Sequence, residues 1–422
     1  MYEITKLKNG ITVASRFLYG MSSASIGIWV AIGSRHEPVR LAGVSHFLEH
    51  AVFKGTSKRE CEELKQAVEG VGGTLNAFTA EEATCYLAKV LGTRVPVAVD
   101  VLSDIVLNAR LAAEDIEREK GVVIEEIRMY HDLPSQRAYD ELDALLWPGQ
   151  SLGRPIAGFE KTVSAFTRKD LRGFRDRYYA PKNIFVVAAG NVRHQGLVEL
   201  TEEFFAKAKG GTKPGIRATA SNKSKFRIKL CAGNTEQTHM AMGLPGLSRQ
   251  DPDRYALTLL HVVLGANMSS RLFREVREKR GLAYEIGTHL KMFADTGAFM
   301  VHAGVEFNKT HQAIGLILKE LDRMTKRKIG DAEFRRARDY YTGQVQMGLE
   351  DTMDHMVWMG ENLLAHGRIR TPQEILAEIS QVTPDDVFRV AKKVFKQSKL
   401  CLSAVGPFKD KDRVKIEKVI KR

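Results

Sequence analysis

The chain alternates short apolar runs with longer amphipathic stretches, and the same rhythm occurs twice. Residues 2–17 predict two short strands around Lys8-Asn9-Gly10, a hairpin turn signal, and residues 24–32 form an apolar run that predicts a buried strand. Helical spacing follows near 42–54 and 58–70, strand patterns near 73–79 and 83–91, then helical spacing near 94–109, 113–130 and 135–146. A strand near 183–190 and a helix near 195–208 close the first half. The polar stretch 209–225, rich in Gly, Lys and Ser, has little to bury and marks a boundary. Beyond it the order returns: strands near 226–231 and 238–243, helices near 252–264 and 269–279, strands near 283–292 and 297–305, and long helices over 308–396.

At 422 residues the chain exceeds what one core usually serves. The expectation is an α+β protein of two structurally similar domains, each a mostly antiparallel β-sheet packed against several helices. The first spans 1–210, a linker 211–225, and the second 226–422. A sequence trace supports the duplication: Gly33-Ser34-Arg35 with Pro38 precedes the first helix, and Leu247-Ser248-Arg249 with Pro252 stands at the matching place. Eight residues past Pro38 is His46, whereas eight past Pro252 is Leu260. The counterparts of Glu49 and His50 are Val263 and Leu264, so the second copy carries apolar residues where the first carries chemistry. His261, one place off that register, reads as a satisfied core histidine.

That chemistry is His46-Phe47-Leu48-Glu49-His50. Residues four apart share a helix face, so His46 and His50 can present two imidazoles to one ion, with Glu49 beside them. Catalytic zinc takes three protein ligands and leaves one position for water, whose pKa it lowers; a nearby carboxylate then removes the proton. Glu49 is placed to be that base. The order H-x-x-E-H inverts the commoner H-E-x-x-H and is the inverzincin motif. Val44, Phe47, Leu48, Val52 and Phe53 mark the helix as half-buried, where unpartnered histidines are costly. A third ligand is expected on another element, and the acidic helix 114–127 offers several. Glu119 and Glu126, seven apart, share one stripe with Val122 and Val123 between them; periodicity does not separate Glu126 from Glu125.

Composition adds limits. Hydrophobic residues make up 44% and charged residues 27%, which excludes a disordered chain. Four scattered cysteines form no C-x-x-C pair, so neither a disulfide framework nor a thiolate metal site is expected. No apolar run approaches the roughly 18 residues that span a bilayer, and the start lacks an apolar signal core. A cytoplasmic chain with no membrane contact is the expectation. The net charge of +13 invites a nucleic-acid reading, but residues 1–210 carry 27 basic and 27 acidic side chains, so the excess belongs wholly to the remainder. There it is spread over helical stretches and reads as a solvated face; with no nucleic-acid-binding motif, no such partner is expected.

Over essentially its whole length the sequence resembles the pitrilysin family of inverzincins, and within it the short-chain processing-peptidase subfamily. The resemblance implies Glu126 as third ligand and Glu119 in the shell around it. The segment Leu75-Asn76-Ala77-Phe78-Thr79 resembles the family's edge strand beside the metal, which would accept an extended peptide as an added strand and makes Asn76, Ala77 and Phe78 substrate contacts. The segment from Met268 to Tyr284 resembles the one supplying an Arg and a Tyr to the substrate carbonyl, here Arg277 and Tyr284; a cation and a phenol donor suit a developing oxyanion.

Relatives that enclose a chamber in one polypeptide carry four such domains. A second chain is therefore implied, a homodimer or a heterodimer with an inactive relative. The implied activity is that of a Zn2+-dependent metalloendopeptidase cleaving unfolded peptides or presequence-like segments inside a dimer chamber. The competing reading is a non-catalytic or partner-dependent scaffold subunit of the same family.

Overall fold

A computed structural model describes residues 1–215, 218–219 and 226–420, so most of the expected linker 211–225 lies outside the described residues. The described residues fall into two compact units. The first holds a six-stranded sheet of β1 (Glu3–Lys6), β2 (Thr12–Phe17), β3 (Ser23–Val30), β4 (Thr74–Thr79), β5 (Thr84–Leu91) and β6 (Ile184–Gly190), ordered β1-β2-β6-β3-β5-β4. Only β2 and β6 run parallel; the other neighbours are antiparallel. The second unit holds β7 (Arg227–Ala232), β8 (Gln237–Pro245), β9 (Ala283–Met292), β10 (Gly297–Glu306) and β11 (Cys401–Gly406), ordered β7-β11-β8-β10-β9, with β7 and β11 parallel. Among the described residues the strand order β7-β11-β8-β10-β9 repeats β2-β6-β3-β5-β4 of the first sheet. This is the α+β pair of similar, mostly antiparallel units that the repeated rhythm predicts.

The apolar run in β3 is explained by burial on both faces. Ile26, Ile28 and Val30 join the core beneath helices α1 (Val44–Ala51), α2 (Cys61–Glu69) and α3 (Val95–Asn108). Trp29, on the alternate face, joins Met356, Met359 and Leu363 of the helix Thr352–His366. That helix comes from the C-terminal half of the chain. Reciprocally, the helix Pro134–Leu146 from the N-terminal half covers the second sheet, where Ala138, Leu142 and Leu146 meet Ala241 and Met300. All strands of the first sheet lie within 1–210 and all of the second within 226–422, whereas these two helices are exchanged: the units are Met1–Arg128, Arg154–Arg217 and Met347–Arg370 against Met129–Gly153, Ala218–Gln346 and Thr371–Arg422. The long helix α4 spans Ala113–Asp132.

Four elements go beyond the pattern-based expectation: helices Glu160–Ser164, Arg168–Tyr178 and Asp410–Ile420, and strand β11. The last lies inside the second sheet although its run is only six residues long. Four free cysteines agree with the absence of a disulfide framework. No helix among the described residues is long and apolar enough to cross a membrane.

Candidate metal centre

Helix α1 is built with two faces. Val44, Phe47, Leu48 and Ala51 are almost fully buried at i, i+3, i+4 and i+7, which turns His46, Glu49 and His50 to the other side. Its start is held by Glu37, whose carboxylate oxygens accept the amides of Gly43 and Ser45, both at 2.7 Å. Gly43 has φ 94°, and a Cβ there would stand 2.4 Å from the Ala157 carbonyl oxygen, so glycine is required. The β4–β5 turn is pinned to the chain ahead of α1: Arg35 donates to Glu82 at 2.5 Å and its amide to the Glu81 carbonyl at 2.8 Å. These contacts fix edge strand β4 beside α1.

On this frame His46, His50 and Glu126 of α4 converge, with one ligand atom from each inside a 4.8 Å triangle. Glu126 Oε1 lies 3.6 Å from His46 Nε2 and Oε2 lies 3.3 Å from His50 Nε2. Two ligands about 2.1 Å from one tetrahedral ion stand about 3.4 Å apart, so the spacing and the N, N, O donor set fit a divalent cation such as zinc. Their side chains are 12%, 23% and 20% exposed, sheltered yet reachable. His46 Nδ1 is buried without a hydrogen-bond partner among the described residues, leaving Nε2 as the nitrogen facing the carboxylate. Glu125, the alternative that periodicity left open, points away and pairs with Arg128 at 2.6 Å.

The electrostatics suit a cation. Hydrogen bonds with His46 and His50 hold the Glu126 carboxyl far below the usual carboxylate range. Burial works against a charge on His50, yet hydrogen bonds with Glu119 and Glu126 outweigh it and push the imidazole up to about 9. Glu119 Oε1 lies 3.0 Å from His50 Nδ1. Glu119 is itself buried, which favours its neutral form, but His50 and Lys54 hold it below its ordinary value.

Glu49 receives a hydrogen bond from Thr79 Oγ1 at 2.5 Å. Thr79 ends β4, whose other residues include Asn76, Ala77 and Phe78. This strand pairs with β5 on one side only and is the edge of the sheet. Asn76 is exposed, and its Oδ1 accepts the Ala77 amide at 2.8 Å; Phe78 packs edge-on against Trp29 with centroids 5.4 Å apart. Arg277 and Tyr284 belong to the second unit. They adjoin one another, the guanidinium 5.2 Å from the Tyr284 ring centroid and 4.8 Å from that of Phe273, and Tyr284 is 75% exposed. Arg277 lies in a wide-turned helix, Phe273–Glu278, rather than an ordinary α-helix. His261 is satisfied as expected, its Nδ1 2.6 Å from Thr288 Oγ1.

Lys54, Thr79 and Glu37 escaped the sequence reading. Lys54 stands four residues past His50, a helical interval, but beyond the apolar stretch that defined the helix. Thr79 follows Ala77 at strand period two. Glu37 carries no such signal.

Comparisons with known proteins agree in kind. Residues 12–160 match the family described as Insulinase (Peptidase family M16) and residues 165–341 the Peptidase M16 inactive domain. An uncharacterized zinc protease of Streptomyces coelicolor is 38% identical over 99% of this chain and 92% of its own length. Another from Mycobacterium bovis is 41% identical over 92% of this chain and 89% of its own. The crystal structure of a protease from Helicobacter pylori superposes with a TM-score of 0.91 at 24% identity, covering 96% of this chain and 99% of that one, a likeness of fold.

Proposed function

Because the chain belongs to the pitrilysin-type peptidase family M16, we propose that it is a zinc-dependent endopeptidase cleaving unfolded peptides or presequence-like segments. One observation carries the reading: His46, His50 and Glu126 form a compact donor triangle, with Glu49 on the same helix face as the two histidines.

In this reading His46, His50 and Glu126 hold Zn2+, which supplies Lewis acidity for the scissile carbonyl and for an attacking water. Glu49, oriented by Thr79, takes the proton from that water and delivers it to the leaving amine. Strand β4 receives the peptide as an added strand through Asn76, Ala77 and Phe78. Arg277 and Tyr284, adjacent and exposed, donate to the oxygen on which charge develops. One sequence contains both sets, so a homodimer enclosing the substrate is proposed, or a heterodimer with an inactive relative, in the cytoplasm.

The second reading, a partner-dependent scaffold, draws on the inactive-domain match over residues 165–341 and on Leu260, Val263 and Leu264 replacing the motif in the second copy. Cleavage of a quenched unstructured peptide, with chelator and zinc add-back and beside Glu49→Gln, separates the two. Metal-dependent cleavage abolished in a variant that still binds zinc is the expected result. Zinc binding without cleavage by the unaltered chain gives the scaffold reading the lead.

A further inference from the structure

We propose that Lys54 is a positioning residue of the metal centre, acting through Glu119 to hold His50 in its metal-binding orientation. The inference rests on the reading of His46, His50 and Glu126 as a zinc site and adds a residue to it. Helix α1 ends at Ala51, and the tighter turn Val52–Lys54 carries the chain on for three residues, so Lys54 lies about one turn past His50. Its Nζ stands 2.7 Å from Glu119 Oε2, while Glu119 Oε1 stands 3.0 Å from His50 Nδ1. One carboxylate thus spans a lysine and an imidazole, each oxygen committed to one partner.

The arrangement has a chemical consequence. An imidazole binds a metal through a lone pair on one nitrogen, and which nitrogen is free is set by where the other donates its hydrogen. His50 Nε2 is the atom facing Glu126, so Nδ1 must be the donor, and Glu119 must accept. Glu119 is only 4% exposed, and a buried carboxylate without a cationic partner is costly. Without Lys54, Glu119 is free to rotate away, and Nδ1 then loses the acceptor that keeps the hydrogen off Nε2. Charge balance points the same way. Against a divalent cation, the carboxylates of Glu49, Glu119 and Glu126 leave one negative charge over, which the Lys54 ammonium offsets. An ordinary surface ion pair contributes little even to folding; this one ends on the Nδ1 of an imidazole whose other nitrogen faces Glu126.

The side chain of Lys54 is 36% exposed, so its replacement opens no core. The test is zinc affinity, measured by competition with a chromophoric chelator, for the unaltered chain, Lys54→Met, Lys54→Arg, Glu119→Gln and the Lys54→Met/Glu119→Gln pair, with metal-free melting recorded for each. The expected result is a zinc affinity weakened about tenfold or more in Lys54→Met, within the range for partners outside the ligand set, and partly recovered in Lys54→Arg. The paired variant should bind no more weakly than Glu119→Gln alone, because Lys54 acts only through Glu119. If Lys54→Met binds zinc like the unaltered chain, or lowers only the metal-free melting temperature, or if the two losses multiply, the proposal is overturned while the zinc site stands. If the unaltered chain holds no zinc, the site reading fails and takes the proposal with it.

Discussion

Thr79 Oγ1 donates to Glu49 Oε2 across 2.5 Å, joining the last residue of edge strand β4 to the acidic residue of the metal helix. A hydroxyl donating to a carboxylate contributes about 1.5–3 kcal/mol, enough to choose one rotamer of Glu49. Replacing Thr79 by Val should lower kcat by about tenfold or more while bound zinc, measured by elemental analysis, stays equimolar; Thr79→Ser should recover most of the rate. An unchanged kcat in Thr79→Val would remove the orienting role.

A second expectation concerns the backbone of β4. The Ala80 amide bonds to the Ala83 carbonyl, so by antiparallel alternation the amides of Phe78 and Asn76 face β5 and that of Ala77 faces the open edge. There its partner is the Asn76 side chain, which an incoming peptide would displace. Ala77→Pro removes this donor without touching the ladder to β5. KM for an extended peptide should rise about tenfold with kcat and melting temperature nearly unchanged; steady-state kinetics beside a thermal melt decide it.

The exchanged helix Thr352–His366 offers a packing test. A Cβ on Gly360 would lie 2.1 Å from Cε2 of the buried Trp29. Gly360→Ala therefore overpacks this face of the first sheet at a cost of about 1–3 kcal/mol, a fall in Tm of roughly 2–10 °C by calorimetry.

Glu37 gives a pH signature. Burial raises its carboxyl from 4.5 to about 7, against the opposing pull of the Ser45 and Gly43 amides and of Arg154. A carboxyl whose folded value is raised keeps its proton in the fold where the unfolded chain has released it. Its stabilising contribution is complete below about 4.5 and is lost as pH climbs through about 7. Relative to Glu37→Gln, which cannot titrate, the unaltered chain should lose about 3 kcal/mol across that window. Melting curves of both proteins at pH 5 and pH 8 supply the comparison, and parallel shifts would contradict it.

What the sequence determined by itself is whatever depends on spacing along one element. His46, Glu49 and His50 share a face because a helix has 3.6 residues per turn, and the duplicated order of strands and helices is written in the periodicity of apolar positions. Tertiary structure alone decided which elements meet. The stripe on α4 allowed Glu125 or Glu126 until α1 was placed beside it, leaving Glu126 against the histidines and Glu125 with Arg128. An amphipathic helix records that it needs an apolar partner, not which one, so nothing local in Pro134–Leu146 or Thr352–His366 announces that each covers the sheet formed by the other half. The six residues of β11 are too few to give a period, yet they pair with β7 and β8 within the sheet. The contacts of Lys54 with Glu119 and of Thr79 with Glu49 join residues on different elements, and side chains distant in sequence acquire a distance only when the chain has folded.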